Sequence, residues 1–183
     1  MRLLFIGRPT IAKGLPDLLE ALTLLPQYDW ELHLVGVFQS IGNAKIADSQ
    51  KLMPRCRILG PKPNSEIPGI MRSSDAVVIP SRYENFCNVA LEAMAAGRAI
   101  IGARCGGIPS LVEDGRTGLL FEAGSSEDLA TKLEKVFKNP TVLTKMGENA
   151  WHKSRNYDWE RICSLTHDLF IELATSELEL SKD

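Results

Sequence analysis

The chain reads as an α/β protein, a parallel sheet with helices on both faces. Three observations carry that reading. Short apolar runs alternate with amphipathic helical stretches along all 183 residues. Most of the runs are apolar on both faces, the pattern of strands buried from two sides. The bulk composition, 44% hydrophobic and 24% charged, is that of an ordinary soluble domain long enough to bury a core. No internal repeat, low-complexity segment or linker divides it, so residues 1–183 are expected to form one domain.

The first strand is expected over residues 3–6. Residues 1–7 are too short and too glycine-bounded to be a signal peptide. Leu15, Leu18, Leu19, Leu22 and Leu25 recur at helical spacing and predict a helix over 15–25. A second strand follows over 31–37, then a polar helix over 41–52. A short strand over 56–59 is closed by Gly60-Pro61, and a short helix follows over 64–72. The buried run 76–79 is stopped by Pro80-Ser81. Residues 88–96 are strong helix formers ended by Gly97. A strand over 99–102 leads into the glycine-rich turn Cys105-Gly106-Gly107, and another strand is expected over 118–121. Ser125 is placed to cap a helix, with Asp128 three residues on as in a capping box. Two more helices are expected, over 141–153 and 159–175, before a frayed polar tail over 177–183.

A net charge of -2, from 21 basic and 23 acidic residues, gives no field that would draw in nucleic acid. Cys56, Cys87, Cys105 and Cys163 are widely spaced with no C-x-x-C pair, so they read as free thiols in a reducing compartment. No run approaches the roughly 20 apolar residues of a membrane span. His33, His152 and His167 have no catalytic setting, and no D-x-D pair suggests a metal. Trp151, Tyr157, Trp159 and Phe170 fall near helical spacing and read as core or interface.

In open parallel sheets ligands bind beyond the carboxyl ends of the strands, which singles out three turns, at 7–14, 80–88 and 102–109. The first holds Gly7, Arg8, Lys13 and Gly14. A glycine loop before a helix offers free N–H groups and a positive dipole end to a phosphate, and two cations stand at its mouth. An exposed turn with two solvated charges has the same residues. The spacing is neither a Walker A loop nor G-x-G-x-x-G. In the second turn Glu84 precedes Glu92 by eight residues. A mostly helical span separates the two carboxylates by up to about 12 Å. That exceeds the roughly 5–9.5 Å of a glycosidase pair. It suits two hydroxyl-bearing rings joined by a pyrophosphate, although Glu92 alone also reads as an ordinary exposed helix glutamate.

The run from Pro80 to Gly97, with Glu84 and Glu92, resembles the E-x7-E signature of the family 4 retaining glycosyltransferases. Phe5-Ile6-Gly7-Arg8 with Lys13-Gly14 is similar to the G-R…K-G phosphate loop of that family. Gly106-Gly107-Ile108-Pro109 and Gly115-Arg116-Thr117-Gly118-Leu119 also match in order. The resemblance covers about residues 1–135. It implies the C-terminal, Rossmann-like half of a two-domain GT-B fold that binds a nucleoside-diphosphate sugar. By this resemblance Arg8 and Lys13 grip the diphosphate, Glu84 holds the transferred sugar and Glu92 the ribose. Backbone around Phe86, Cys87, Asn88 and Val89 lines the pocket, and the base rests near Gly60. Cys87, where relatives carry glycine or proline, and Arg98, where they carry proline, depart from the pattern.

The implied reaction moves a sugar from a UDP- or GDP-sugar to a glycan, glycolipid or small acceptor. It needs no cofactor or metal, and Arg8, Lys13 and Glu84 serve as its catalytic groups. The acceptor site is expected on an absent N-terminal domain, in cis or in trans, with residues 155–176 forming a crossover helix toward it. The expected setting is polysaccharide biosynthesis in the cytoplasm, peripheral at the membrane face through the absent domain. The competing reading is a nucleotide-sugar-binding module without turnover. A sugar-nucleotide epimerase or phosphorylase of the same fold is a third.

Overall fold

The computed structural model describes residues 1–37 and 52–180, with side chains through residue 175. Six strands, β1 (Arg2–Ile6), β2 (Glu31–Val35), β3 (Cys56–Gly60), β4 (Ala76–Ile79), β5 (Ala99–Ala103) and β6 (Gly118–Phe121), form one sheet in the order β3-β2-β1-β4-β5-β6. Every pairing is parallel, with Leu3 of β1 opposite Leu32 on one side and Ala76 on the other. Among the described residues the connecting and following helices are α1 (Leu15–Thr23), α2 (Ile67–Arg72), α3 (Asn88–Ala95), α4 (Ile108–Leu111), α5 (Ser126–Lys138), α6 (Thr141–Ser154) and α7 (Trp159–Leu180). A 3-10 turn, Arg155–Tyr157, joins α6 to α7.

Alternation along the strands divides the interior into two cores. Leu3 and Phe5 of β1, Leu32 and Leu34 of β2, Val78 and Ile101 pack with Leu15, Leu18 and Leu22 of α1 and Leu129 and Leu133 of α5. Leu4, Val77, Ile79, Ile100 and Leu120 face the other way, onto Met71 of α2, Ala90 and Met94 of α3 and Ile108 of α4. Each fully buried leucine or isoleucine contributes about 1.5–3 kcal/mol relative to exposure. Both sheet faces are therefore closed to ligands, and the strand ends remain.

The strands and helices predicted within the described residues are present, most with ends shifted by one or two residues. The predicted helix over 64–72 begins only at Ile67, with Pro68 in its first turn. The predicted helix over 41–52 lies, apart from Leu52, outside the described residues. Helix α4 was not anticipated, because four residues with a proline in the first turn carry no periodicity. The tail begins later than expected, since α7 continues through residues 177–180. The capping box is half formed. Ser125 Oγ accepts from Asp128 N at 3.1 Å, but the Asp128 carboxylate reaches past Ser125 to accept from Glu122 N at 2.8 Å.

Candidate functional site

The strand order reverses between β1 and β4, where the chain winds outward in both directions. The loops leaving the carboxyl ends of these two strands, residues 7–14 and 80–87, press together. Gly14 is in the left-handed region at φ 67°, and a Cβ there would stand 1.6 Å from Pro80 O. Arg82 N and Tyr83 N donate to Ala12 O at 2.9 and 3.4 Å. The loop after β5 closes the other side. Gly106 (φ 48°) holds its Cα against Glu84 O, and Gly107 N donates to Asn85 O at 2.6 Å. Cys105 Sγ donates to Ser81 O at 2.9 Å. Three loops distant in sequence thus form one rigid rim.

On that rim Lys13 Nζ donates to Glu84 Oε2 at 2.6 Å, with the Glu84 side chain only 15% exposed. From the 80–87 loop Arg82 donates through Nε and Nη2 to both oxygens of Asp17, which is buried in the first turn of α1, at 2.8 and 2.5 Å. Arg8 is exposed and its guanidinium has no partner among the described residues. Gly7 follows β1, with its N–H donated to Val35 O at 2.9 Å.

Cys87 immediately precedes α3 and is the one non-glycine with positive φ (73°) among the described residues. An L side chain is strained there by on the order of 1–3 kcal/mol, so glycine suits the position and proline does not. Burial pushes the thiol up to about 11, so at neutral pH it is uncharged. The amides of Asn88 and Val89 open α3 without intrahelical partners, as the first turn of a helix must. Phe86 is 44% exposed and lies against Tyr157, ring centroids 6.3 Å apart.

Glu92 is one turn beyond Asn88 on the outer face of α3. It opens into a groove of ≈ 920 Å³ between α3 and the start of α7, with Phe86 and Leu91 on one side and Tyr157, Trp159 and Ile162 on the other. These walls take water from its carboxyl and raise its pKa above the usual value. Gly60 ends β3, two strands from β1 and so roughly 10 Å across the sheet. A Cβ on Gly60 would meet nothing within 4 Å.

The sequence-predicted residues therefore fall in three groups. Gly7, Arg8, Lys13, Gly14 and Glu84 share the rim between β1 and β4, Phe86 to Glu92 follow along α3, and Gly60 stands apart at the sheet edge. Sequence reasoning missed Asp17 and Arg82. Its available signal was an acid within the buried face of α1, among Leu15, Leu18 and Leu19. A second cavity of ≈ 690 Å³, lined by Asp75, Arg98, Glu148 and Trp151, is at the opposite end of the sheet and holds none of the predicted residues. Among the described residues no group of three or more His, Cys, Asp or Glu is arranged to hold a metal ion.

A family model described as glycosyl transferases group 1 matches residues 2–153. The chain belongs to that family. Among similar proteins, D-inositol 3-phosphate glycosyltransferase of Corynebacterium jeikeium is 33% identical over 179 residues, spanning 92% of this chain and 43% of the relative. Sucrose-phosphate synthase from Thermosynechococcus elongatus superposes with a TM-score of 0.79 at 25% identity, over 96% of this chain and 46% of that one. Anabaena HepE, solved with UDP, superposes with a TM-score of 0.78 at 27% identity, over 95% and 48%. It has also been solved with UDP-glucose. The group 1 glycosyltransferase fold seen here is thus the Rossmann-like half of a GT-B architecture, and the chain spans under half the length of these relatives.

Proposed function

We propose that this chain is the donor-binding half of a retaining glycosyltransferase. It holds a nucleoside-diphosphate sugar across the carboxyl ends of β3, β2, β1 and β4. The observation that carries the reading is the Lys13–Glu84 pair, which brings a cation and a carboxylate to one rim at the point where strand order reverses. The base rests by Gly60, the diphosphate by Arg8, Lys13 and the Gly7 and Gly14 backbone, and the sugar by Glu84. Glu92 takes the ribose hydroxyls, while the backbone from Phe86 to Val89 lines the pocket. Family membership and the UDP and UDP-glucose complexes of Anabaena HepE support a UDP-sugar as first ligand to test; a GDP-sugar is the alternative.

The chemistry is electrostatic. Negative charge grows on the leaving diphosphate as the glycosidic bond breaks, and Arg8, Lys13 and the amino end of α3 supply positive charge where it grows. These groups do this work without a metal or cofactor. The acceptor hydroxyl attacks the anomeric carbon on the face from which the diphosphate departs and passes its proton to the leaving phosphate oxygen, so configuration is retained. The acceptor, a glycan, glycolipid or small hydroxyl compound, binds to a separate N-terminal domain in cis or in trans, and α7 crosses toward it. The expected setting is glycan or polysaccharide synthesis in the cytoplasm, consistent with four cysteines free of disulfides, Cys56, Cys87, Cys105 and Cys163.

Calorimetry with bare UDP and with UDP-glucose tests the assignment. Glu92→Ala weakens both ligands, because both contain the ribose. Glu84→Ala weakens UDP-glucose but leaves UDP unchanged or tighter, because it also frees Lys13 from its ion pair. Equal losses for both ligands in both variants refute the division of roles. Failure of the full-length protein to transfer sugar to any lipid or glycan extract, with donor binding intact, refutes the transferase assignment.

A further inference from the structure

Asp17 is the most deeply buried carboxylate near the rim, its side chain 3% exposed. It lies on the core-facing side of α1, four residues after Lys13. Arg82 lies two residues before Glu84. The bidentate bond between Asp17 and Arg82 therefore ties the start of α1, which continues the Lys13 loop, to the loop that carries Glu84. Gly124 lies beside the guanidinium, where an added Cβ would be 3.6 Å from Arg82 Nε, and the Arg82 side chain remains 46% exposed. It also feels the charge of Glu20, itself bonded to Ser126 Oγ at 2.8 Å. The fork of an arginine on a carboxylate fixes both distance and orientation, which a lysine point charge does not.

The two pairs differ in what a ligand does to them. Lys13 and Glu84 have side chains 35% and 15% exposed and satisfy each other only until a diphosphate and sugar hydroxyls compete for them. Asp17 is unreachable. We propose that Asp17 and Arg82 are positioning residues for the donor site: their ion pair, anchored on the buried Asp17, holds the start of α1 and the 80–87 loop in register while Lys13 and Glu84 exchange each other for ligand. This rests on the donor-site reading above.

The test is a binding cycle on the chain with UDP as probe, at a temperature where every variant is fully folded. Arg82→Ala alone strands a buried carboxylate and risks misfolding, so the informative variants are Asp17→Asn and the charge-free pair Asp17→Asn with Arg82→Gln. Each is expected to weaken UDP on the order of tenfold, with Arg82→Lys intermediate, and to have no further effect in a Lys13→Ala background. That non-additivity is what a purely structural role does not produce. Unchanged UDP affinity in the charge-free pair overturns the proposal, as does an equal loss with and without Lys13. Loss confined to Arg82 variants, with Asp17→Asn unaffected, makes Arg82 a direct phosphate ligand and also overturns it. A wild-type chain that binds neither UDP nor UDP-glucose removes the donor-site reading itself, and the clamp's role with it.

Discussion

Glu92 shows how a residue's surroundings assign it a working pH. The groove walls disfavour its charged form and raise its pKa above the usual 4.5. A carboxyl whose folded pKa is raised binds more protons folded than unfolded, so its contribution to stability is largest below the unfolded pKa and declines as pH rises through the folded one. Glu92→Gln therefore leaves the chain no less stable at pH 7, by thermal unfolding. Accepting ribose hydroxyls needs the carboxylate, so the UDP affinity advantage of wild type over Glu92→Gln is expected to be largest near pH 7. It should shrink on acidification toward pH 5. A ratio that stays constant across that range, measured by calorimetry, would place Glu92 away from the ligand. The glutamate was legible as a candidate from its spacing to Glu84; its semi-dry environment was not, because Tyr157 and Trp159 come from a segment more than 60 residues away in sequence.

At the scale of elements, the strands were legible because residues such as Leu3, Leu4 and Phe5 are all buried, leaving runs with no polar interruption. What was not legible is how the loops interlock. Gly14 and Gly106 read as generic turn glycines, yet each lets one loop touch the carbonyl of another, at Pro80 and Glu84. Asp17 and Arg82 are 65 residues apart and carry no periodic signal that pairs them. The glycine turn after β5 is thus a buttress for the E-x7-E loop. Gly106→Ala combines a positive φ with a Cβ 1.6 Å from Glu84 O, so the 84–86 backbone must shift. The expected result is a loss of about 2 kcal/mol in stability by urea unfolding, with a larger affinity loss for UDP-glucose than for UDP. Unaltered binding of both ligands would show that the buttress does not set Glu84.

The described residues form two unequal parts, a sheet domain that reaches residue 158 and a last helix, α7. From Trp159 to residue 175 every side chain of α7 is exposed, including Trp159 at 80% and Phe170 at 65%. Ile162, Leu165 and Leu169 add to an apolar stripe at helical spacing. No helix among the described residues is long and apolar enough to cross a membrane, and an exposed apolar stripe of this extent is the kind of surface that docks against a partner. The crossover role proposed for α7 supplies one in the acceptor domain. Because these side chains bury nothing against the sheet, α7 contributes little to folding here. Ending the chain after Asp158 is expected to shift the thermal midpoint by no more than about 2 °C. In sedimentation the intact chain is expected to associate with rising concentration through this stripe, and the truncated chain to stay monomeric. Ala90, Met94 and the remaining core residues all precede the cut, so UDP affinity survives unless the ribose needs the Trp159 wall of the Glu92 groove. A truncated chain that folds but has lost UDP would therefore make the first turn of α7 part of the donor site, and a collapse of the midpoint would make the helix part of the domain itself.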